Sequence, residues 1–300
     1  MSRVWVLVRI AFGTLLVSLN TLLHVPALLF AALLKAILPW RPWRRLCDRM
    51  LMTVAESWIS VNTAMMRTFT RTKLQVQVDA ELRGDGHYLV LANHRSWVDI
   101  PVLQAVFNRR IPLLRFFLKS QLFWVPLLGL AWWALDFPFM KRYSREQLRR
   151  RPDLAGRDME ATRRACRKFQ DIPVSIMNFA EGTRFTVAKH ARQASAFINL
   201  LKPKAGGVGF VLDAMGNALH AVLDVTIGYP GGRATMADLF CNRIPEVRVH
   251  VREIPIPQEL IGADYEGDPA VRARAQQWIN EVWRRKDERL AHLLRKSRDA

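Results

Sequence analysis

A chain of 300 residues, half of them hydrophobic, has enough apolar material for a large core with an appendage, which excludes global disorder. Its 45 lysines and arginines outweigh 26 acidic residues, for a formal net charge of +19, so anionic partners are favoured: phospholipid head groups, phosphorylated substrates or nucleic acid. Cys47, Cys166 and Cys241 are widely separated and form no CxxC pair, which argues against a zinc ribbon or disulfide framework and for buried free thiols.

From the N-terminus, Ile10 to Leu34 carries no Asp, Glu, Lys or Arg. Those 25 residues suffice to cross a hydrocarbon core of about 30 Å at about 1.5 Å per residue. Pro26 predicts a kink. The stretch fits a bent spanning helix or a one-leaflet hairpin turning near Asn20–Pro26, and a cleaved signal peptide is a third option. Pro39-Trp40-Arg41-Pro42-Trp43-Arg44-Arg45 then alternates indoles and guanidiniums, as suits the boundary of an anionic leaflet. Ten tryptophans in the chain support such an interface.

Residues 46–72 read as a helix with Leu51, Val54, Ala55, Trp58, Ile59 and Met65 on its apolar side. Leu74–Val78 alternates and predicts a strand; Leu89–Ala92, Val174–Phe179, Ala221–Ile227 and Val247–Val251 predict buried strands. Helical patterns lie around 156–170 and 189–200. The expected fold is therefore α/β, a mixed, mostly parallel sheet flanked by helices, with an N-terminal membrane-embedded helical segment. Leu122–Leu135 is uncharged but too short to span; core packing, an acyl-chain lining and interfacial burial are its possible uses. Residues 270–297 form a basic amphipathic helix expected to pack on the domain. The chain divides into 1–45, a membrane-anchoring helical segment, and 46–300, an α/β domain closed by that helix.

The chemistry-bearing stretch is Asn93-His94-Arg95-Ser96-Trp97-Val98-Asp99. On one continuous helix, positions five apart point about 140° away from each other. With His94 on a turn and Asp99 on the following helix the two can meet, and the carboxylate then fixes the imidazole tautomer and stabilises its cation. A plainer role is helix capping by Ser96, with Asp99 favoured by the helix dipole.

The 93–99 stretch resembles the N-H-x-x-x-x-D block of the glycerolipid acyltransferase family, which includes 1-acyl-glycerol-3-phosphate and lysophospholipid acyltransferases. Phe139-Met140-Lys141-Arg142 is similar to the family's F-x-x-R block. Phe179-Ala180-Glu181-Gly182-Thr183-Arg184 resembles its E-G-T-R block, and Ile227-Gly228-Tyr229-Pro230 its proline-ended fourth block. The four blocks occur in the family's order between about Tyr88 and Pro230. The resemblance implies His94 as general base, Asp99 as its partner, and acceptor-phosphate binding by Arg142 and by Glu181, Gly182, Thr183 and Arg184. Lys119 is a further candidate cation for that pocket. The fourth block is expected to shape the site without proton chemistry.

The implied activity is transfer of an acyl group from acyl-CoA or acyl-acyl carrier protein to lysophosphatidic acid in phospholipid biosynthesis, or to another lysophospholipid. Neither a metal nor a cofactor is expected. The enzyme is expected at the membrane, its catalytic domain on the cytoplasmic face, among membrane phospholipids. A catalytically idle anionic-lipid binder is the alternative. A nucleic-acid partner is not expected, since an apolar N-terminus serves no purpose there.

Overall fold

A computed structural model describes residues 3–141, 149–151, 160, 169 and 172–295. Arg142, Cys166 and most of the helical pattern at 156–170 lie outside the described residues.

The N-terminal apolar stretch belongs to one long helix, α1 (Arg3–Ile37), with Pro26 inside it. The chain does not reverse at Asn20–Pro26. It reverses after Ile37, and α2 (Arg41–Phe69) follows with Pro42 in its first turn, where a missing N–H costs no helical bond. The two helices pair through a polar seam within apolar contacts. Asn20 donates to the Trp58 carbonyl at 3.0 Å and to Asn62 Oδ1 at 2.9 Å, and Lys35 pairs with Asp48 at 2.6 Å. Among the described residues, α1 is the helix long and apolar enough to cross a membrane. It also touches the rest of the molecule near both ends. Arg9 Nε donates to the Phe240 carbonyl at 2.7 Å, while Val25, Leu28 and Ala31 share a cluster with Ala131, Ala134 and Leu135.

The strands are β1 (Lys73–Asp79), β2 (His87–Ala92), β3 (Leu114–Phe116), β4 (Leu118–Lys119), β5 (Phe139–Met140), β6 (Val174–Asn178), β7 (Ala221–Gly228) and β8 (Glu246–Ile254). The later helices are α3 (Asp99–Phe107), α4 (Leu128–Ala134), α5 (Val187–Gln193), α6 (Gly206–Met215), α7 (Met236–Phe240) and α8 (Pro269–Leu294). Among the described residues, six strands form one sheet in the order β1-β8-β7-β2-β6-β3, and β4-β5 form a small ribbon. Strands β7, β2, β6 and β3 are mutually parallel. Strand β8 runs antiparallel to β7, and β1 parallel to β8. This is the expected mixed, mostly parallel α/β sheet.

Both faces are covered, which is why β2 reads as a continuous apolar run. Leu89, Leu91, Ile176 and Val222 face a layer containing Val208 of α6 and Ile279 and Trp283 of α8. Tyr88, Val90, Leu223 and Val225 face a layer containing Val102, Leu103 and Val106 of α3. The C-terminal helix packs on the domain, as its apolar stripe predicts. The helix expected over 189–200 stops early: α5 ends at Gln193 and is capped by Ala194, a non-glycine residue at φ 43°. The following turn is held by Asp287 of α8, which accepts from the backbone N–H groups of Ile198 (2.6 Å) and Asn199 (2.8 Å). Those tertiary bonds replace helical ones, and a local pattern cannot anticipate them.

One topological consequence places the site. Strands β7, β2 and β6 are adjacent and parallel, so their following loops open at one edge. Those loops carry Tyr229, His94 and Glu181–Arg184 respectively. The carboxyl edge of a parallel sheet is where α/β proteins bind ligands.

Candidate active site

Strand β2 ends at Ala92, and the loop 93–98 leads into α3, whose first residue is Asp99. The loop is fixed before its chemistry begins. Asn93 exchanges two bonds with the Ile227 backbone, donating to its carbonyl at 2.9 Å and accepting from its N–H at 2.8 Å. Ser96 donates to the Ala234 carbonyl and accepts from Val98 N–H at 2.8 Å. Ser96 thus ties the loop together ahead of α3 but does not cap it: the cap residue is Val98, and no side chain caps the helix start.

Asp99 does something else. It is fully buried and reaches back over the loop. Its Oδ2 accepts from His94 Nδ1 at 2.8 Å and from the N–H groups of Arg95 (2.7 Å) and Ser96 (2.8 Å). Its Oδ1 accepts the Tyr229 hydroxyl at 2.6 Å. Four donors therefore converge on one buried carboxylate. A carboxylate facing Nδ1 puts the proton there and leaves Nε2 as the ring's proton acceptor. The imidazole stacks on Phe179, ring centroids 3.9 Å apart at 15°, so one face is covered. It keeps 14% side-chain exposure, enough for a substrate atom to approach.

Tyr229 was expected to shape the site without proton chemistry. It is also a hydrogen-bond partner of the buried carboxylate. Burial first, and then the Asp99 charge, raise its phenol well above the ordinary range, so it remains a neutral donor. The sequence signal was its place at the end of β7, the neighbour of β2.

The turn after β6 needs Gly182, which sits at φ +68°, a conformation cheap for glycine alone. Thr183 Oγ1 accepts from Lys189 Nζ at 2.7 Å, so the hydroxyl is already tied to a second cation. Arg184 is exposed, and its guanidinium lies 4.7 Å from the ring centroid of Trp97. That stacking carries it to the mouth of the 93–99 loop.

Glu181 departs from the expected substrate contact. It is fully buried, and its two oxygens accept from backbone N–H groups, those of His94 and Leu201, each at 3.2 Å. It restrains the backbone of His94 and offers nothing to solvent. Burial pushes its carboxyl up to about 8, against the opposing pull of those two N–H groups and of Lys286. The folded protein thus holds this proton more tightly than an unfolded chain, whose ordinary value is 4.5. Between those values the native state binds more protons, so this group's contribution to stability falls as pH rises. Glu181→Gln has no such proton to lose. Denaturant titrations in detergent from pH 5 to 8 are expected to show wild type losing stability relative to the variant as pH rises. A pH-independent difference between the two would contradict the assignment.

Lys119 is exposed on β4 and lies in register with Met140 of β5. It therefore shares a ribbon with the Phe139–Lys141 block and does not lie on the 93–99 loop. Backbone N–H groups of the 93–98 loop are largely committed within the protein: those of His94, Arg95, Ser96 and Val98 are all engaged. An open cleft is lined by Asn93, His94 and Arg95 and by Leu200, Leu290 and Leu294. Its lining mixes these polar and cationic groups with apolar side chains.

Fold and site together define an α/β protein with an aspartate-supported histidine at the carboxyl edge of a parallel sheet, beside an arginine-bearing turn. That arrangement can take a proton from a hydroxyl. The chain belongs to the acyltransferase family, whose model matches residues 73–229. Similar curated proteins include lysocardiolipin acyltransferase 1 of Danio rerio, 27% identical over 83% of this chain and 62% of that protein. Another is 1-acyl-sn-glycerol-3-phosphate acyltransferase gamma of Homo sapiens, 24% identical over 70% of this chain and 54% of that one. The chain thus spans between half and two thirds of these relatives. Among solved structures, the 1-acyl-sn-glycerophosphate (LPA) acyltransferase PlsC of Thermotoga maritima superposes with a TM-score of 0.58 over 97% of this chain and 99% of that one, at 16% identity.

Proposed function

We propose that the protein transfers a fatty acyl group from a thioester, acyl-CoA or acyl-acyl carrier protein, to the free hydroxyl of lysophosphatidic acid at a membrane surface. The observation that carries this is the Asp99–His94 bond of 2.8 Å at a cleft lined by His94 and Arg95 together with Leu200, Leu290 and Leu294. His94 Nε2 accepts the hydroxyl proton as the oxygen attacks the thioester carbonyl. Asp99 stabilises the imidazolium so formed; the C–S bond then breaks, and the leaving thiolate takes that proton from the imidazolium to depart as the thiol, returning His94 to its neutral form. Correct placement of such a base is worth about 10²–10⁴ in rate. Arg184 receives the acceptor phosphate through charge-assisted bonds, with Arg142 as its proposed companion. The apolar wall of Leu200, Leu290 and Leu294 suits an acyl chain. The likeness to a lysocardiolipin acyltransferase supports a second acceptor class, another lysophospholipid. A transfer assay across lysolipid head groups with both carriers tests this. Lysophosphatidate is the expected preferred acceptor, and absence of transfer to every lysolipid would refute the enzyme reading.

Attachment is assigned to α1, whose outward side is lined by Leu15, Leu19, Leu22, Leu23, Phe30 and Leu33. The segment Leu122–Leu135 extends that surface. Its Ala131, Ala134 and Leu135 pack with α1, while Trp124 is 82% and Trp133 61% exposed. Core packing therefore accounts for the end of this segment, and indoles this exposed settle at the head-group level. Replacing Trp124 and Trp133 together by serine is expected to weaken binding to anionic vesicles about tenfold, or about 1.4 kcal/mol. Cosedimentation measures it; unchanged binding would remove this segment from the membrane contact.

A further inference from the structure

Lys286 of α8 is 0% exposed, and so is the side chain of its ion-pair partner Asp224 on β7. Desolvating such a pair costs about as much as the attraction returns, and an apolar replacement of similar volume is often neutral or stabilising. Helix α8 does not need the charge to dock, because Val271, Ala275, Ile279, Val282, Trp283 and Leu290 are buried along the same helix. The ammonium therefore invites an explanation other than stability.

Its partners supply one. An ammonium has three donors, and three acceptors surround this one: Asp224 Oδ1, the Leu91 carbonyl at 3.2 Å and the Val225 carbonyl at 2.5 Å. Leu91 and Val225 lie on neighbouring strands, where Leu91 pairs with Asp224 and Ala92 with Val225. Three residues beyond Leu91 is His94, and four beyond Val225 is Tyr229. The Asn93–Ile227 bonds clamp the same two strands one step nearer the site. Lys286 thus provides a second, deeper clamp on the strands that deliver the base and the hydroxyl donor to Asp99.

We propose that Lys286 is a positioning residue: its ammonium, oriented by Asp224, ties the carboxyl ends of β2 and β7 together and so sets His94 and Tyr229 about Asp99. It touches no reacting atom. The inference rests on His94 being the base.

Lys286→Met tests it without stranding a charge, since Asp224 Oδ2 stays paired with Arg252 at 2.8 and 2.7 Å. In the full chain, kcat is expected to fall between about 10- and 100-fold, the scale of a small misplacement of reacting groups. KM for both substrates should stay within about twofold. Hydrogen exchange should quicken at residues 91–96 and 225–229 while the remaining strands keep their protection. If the single variant does not fold, Lys286→Met combined with Asp224→Asn removes both charges and is expected to show the same loss of kcat. Wild-type kcat in either folded variant, or a loss accompanied by faster exchange throughout the sheet, would overturn the proposal. His94→Ala, assayed in parallel, separates the two failures. Activity surviving there undermines the base itself; activity abolished there but intact in Lys286→Met removes only the positioning role.

Discussion

Replacing His94 by alanine is expected to lower kcat for acyl transfer about 10³-fold, within the range for loss of a placed general base. The expectation follows from geometry in which Nδ1 is committed to Asp99 and only Nε2 can accept a proton. Because the ring is partly exposed and its main packing partner is Phe179, truncation should leave the fold intact. Binding to anionic vesicles should match wild type, since α1 and the Trp124–Trp133 surface are untouched. A catalytically idle lipid binder would show no His94-dependent turnover to lose, so measuring transfer and vesicle binding on the same preparation separates the two.

Replacing Asp99 by alanine should do more damage, because it acts on structure and on chemistry together. Tyr229 Oη, His94 Nδ1 and the N–H groups of Arg95 and Ser96 all point at that carboxylate. Each buried donor left without an acceptor costs about 1–3 kcal/mol, so a loss of at least about 3 kcal/mol is expected. Transfer should fall at least as far as in His94→Ala. Asp99→Asn keeps an acceptor oxygen and the side-chain shape. It should recover most of the stability but little of the activity, since a neutral amide does not stabilise an imidazolium. Thermal melting and transfer rates of the two variants check this; equal melting temperatures for Asp99→Ala and wild type would contradict the hydrogen-bond assignment.

The sheet was largely legible in the sequence, because its long buried strands are apolar runs bounded by polar turns. Strands β3, β4 and β5 were not, being two or three residues long and containing Arg115 and Lys119. The pairing of His94 with Asp99 was legible from a strand-turn-helix pattern and strengthened by the family resemblance. The inward turn of Glu181 was not, because it depends on the Leu201 N–H, 20 residues away. Nor was the role of Tyr229, whose contact with Asp99 spans 130 positions and exists only because β7 lies beside β2. Lys286 read as one more cation on a basic helix; only the packing of α8 shows that it is buried. For the N-terminal stretch the sequence left one long helix and a hairpin turning near Asn20–Pro26 both open; the long helix forms, and the chain turns only after Ile37, where Pro42 lies in the first turn of the next helix.

The most direct test of the central claim follows both halves of the reaction at once, using labelled acyl-CoA with purified full-length protein, with and without lysophosphatidate. Free thiol should appear in step with labelled ester, only when acceptor is present, and neither should form with His94→Ala. Undiminished ester formation by His94→Ala, or label retained covalently on the protein when acceptor is withheld, would contradict direct attack by a hydroxyl that His94 deprotonates.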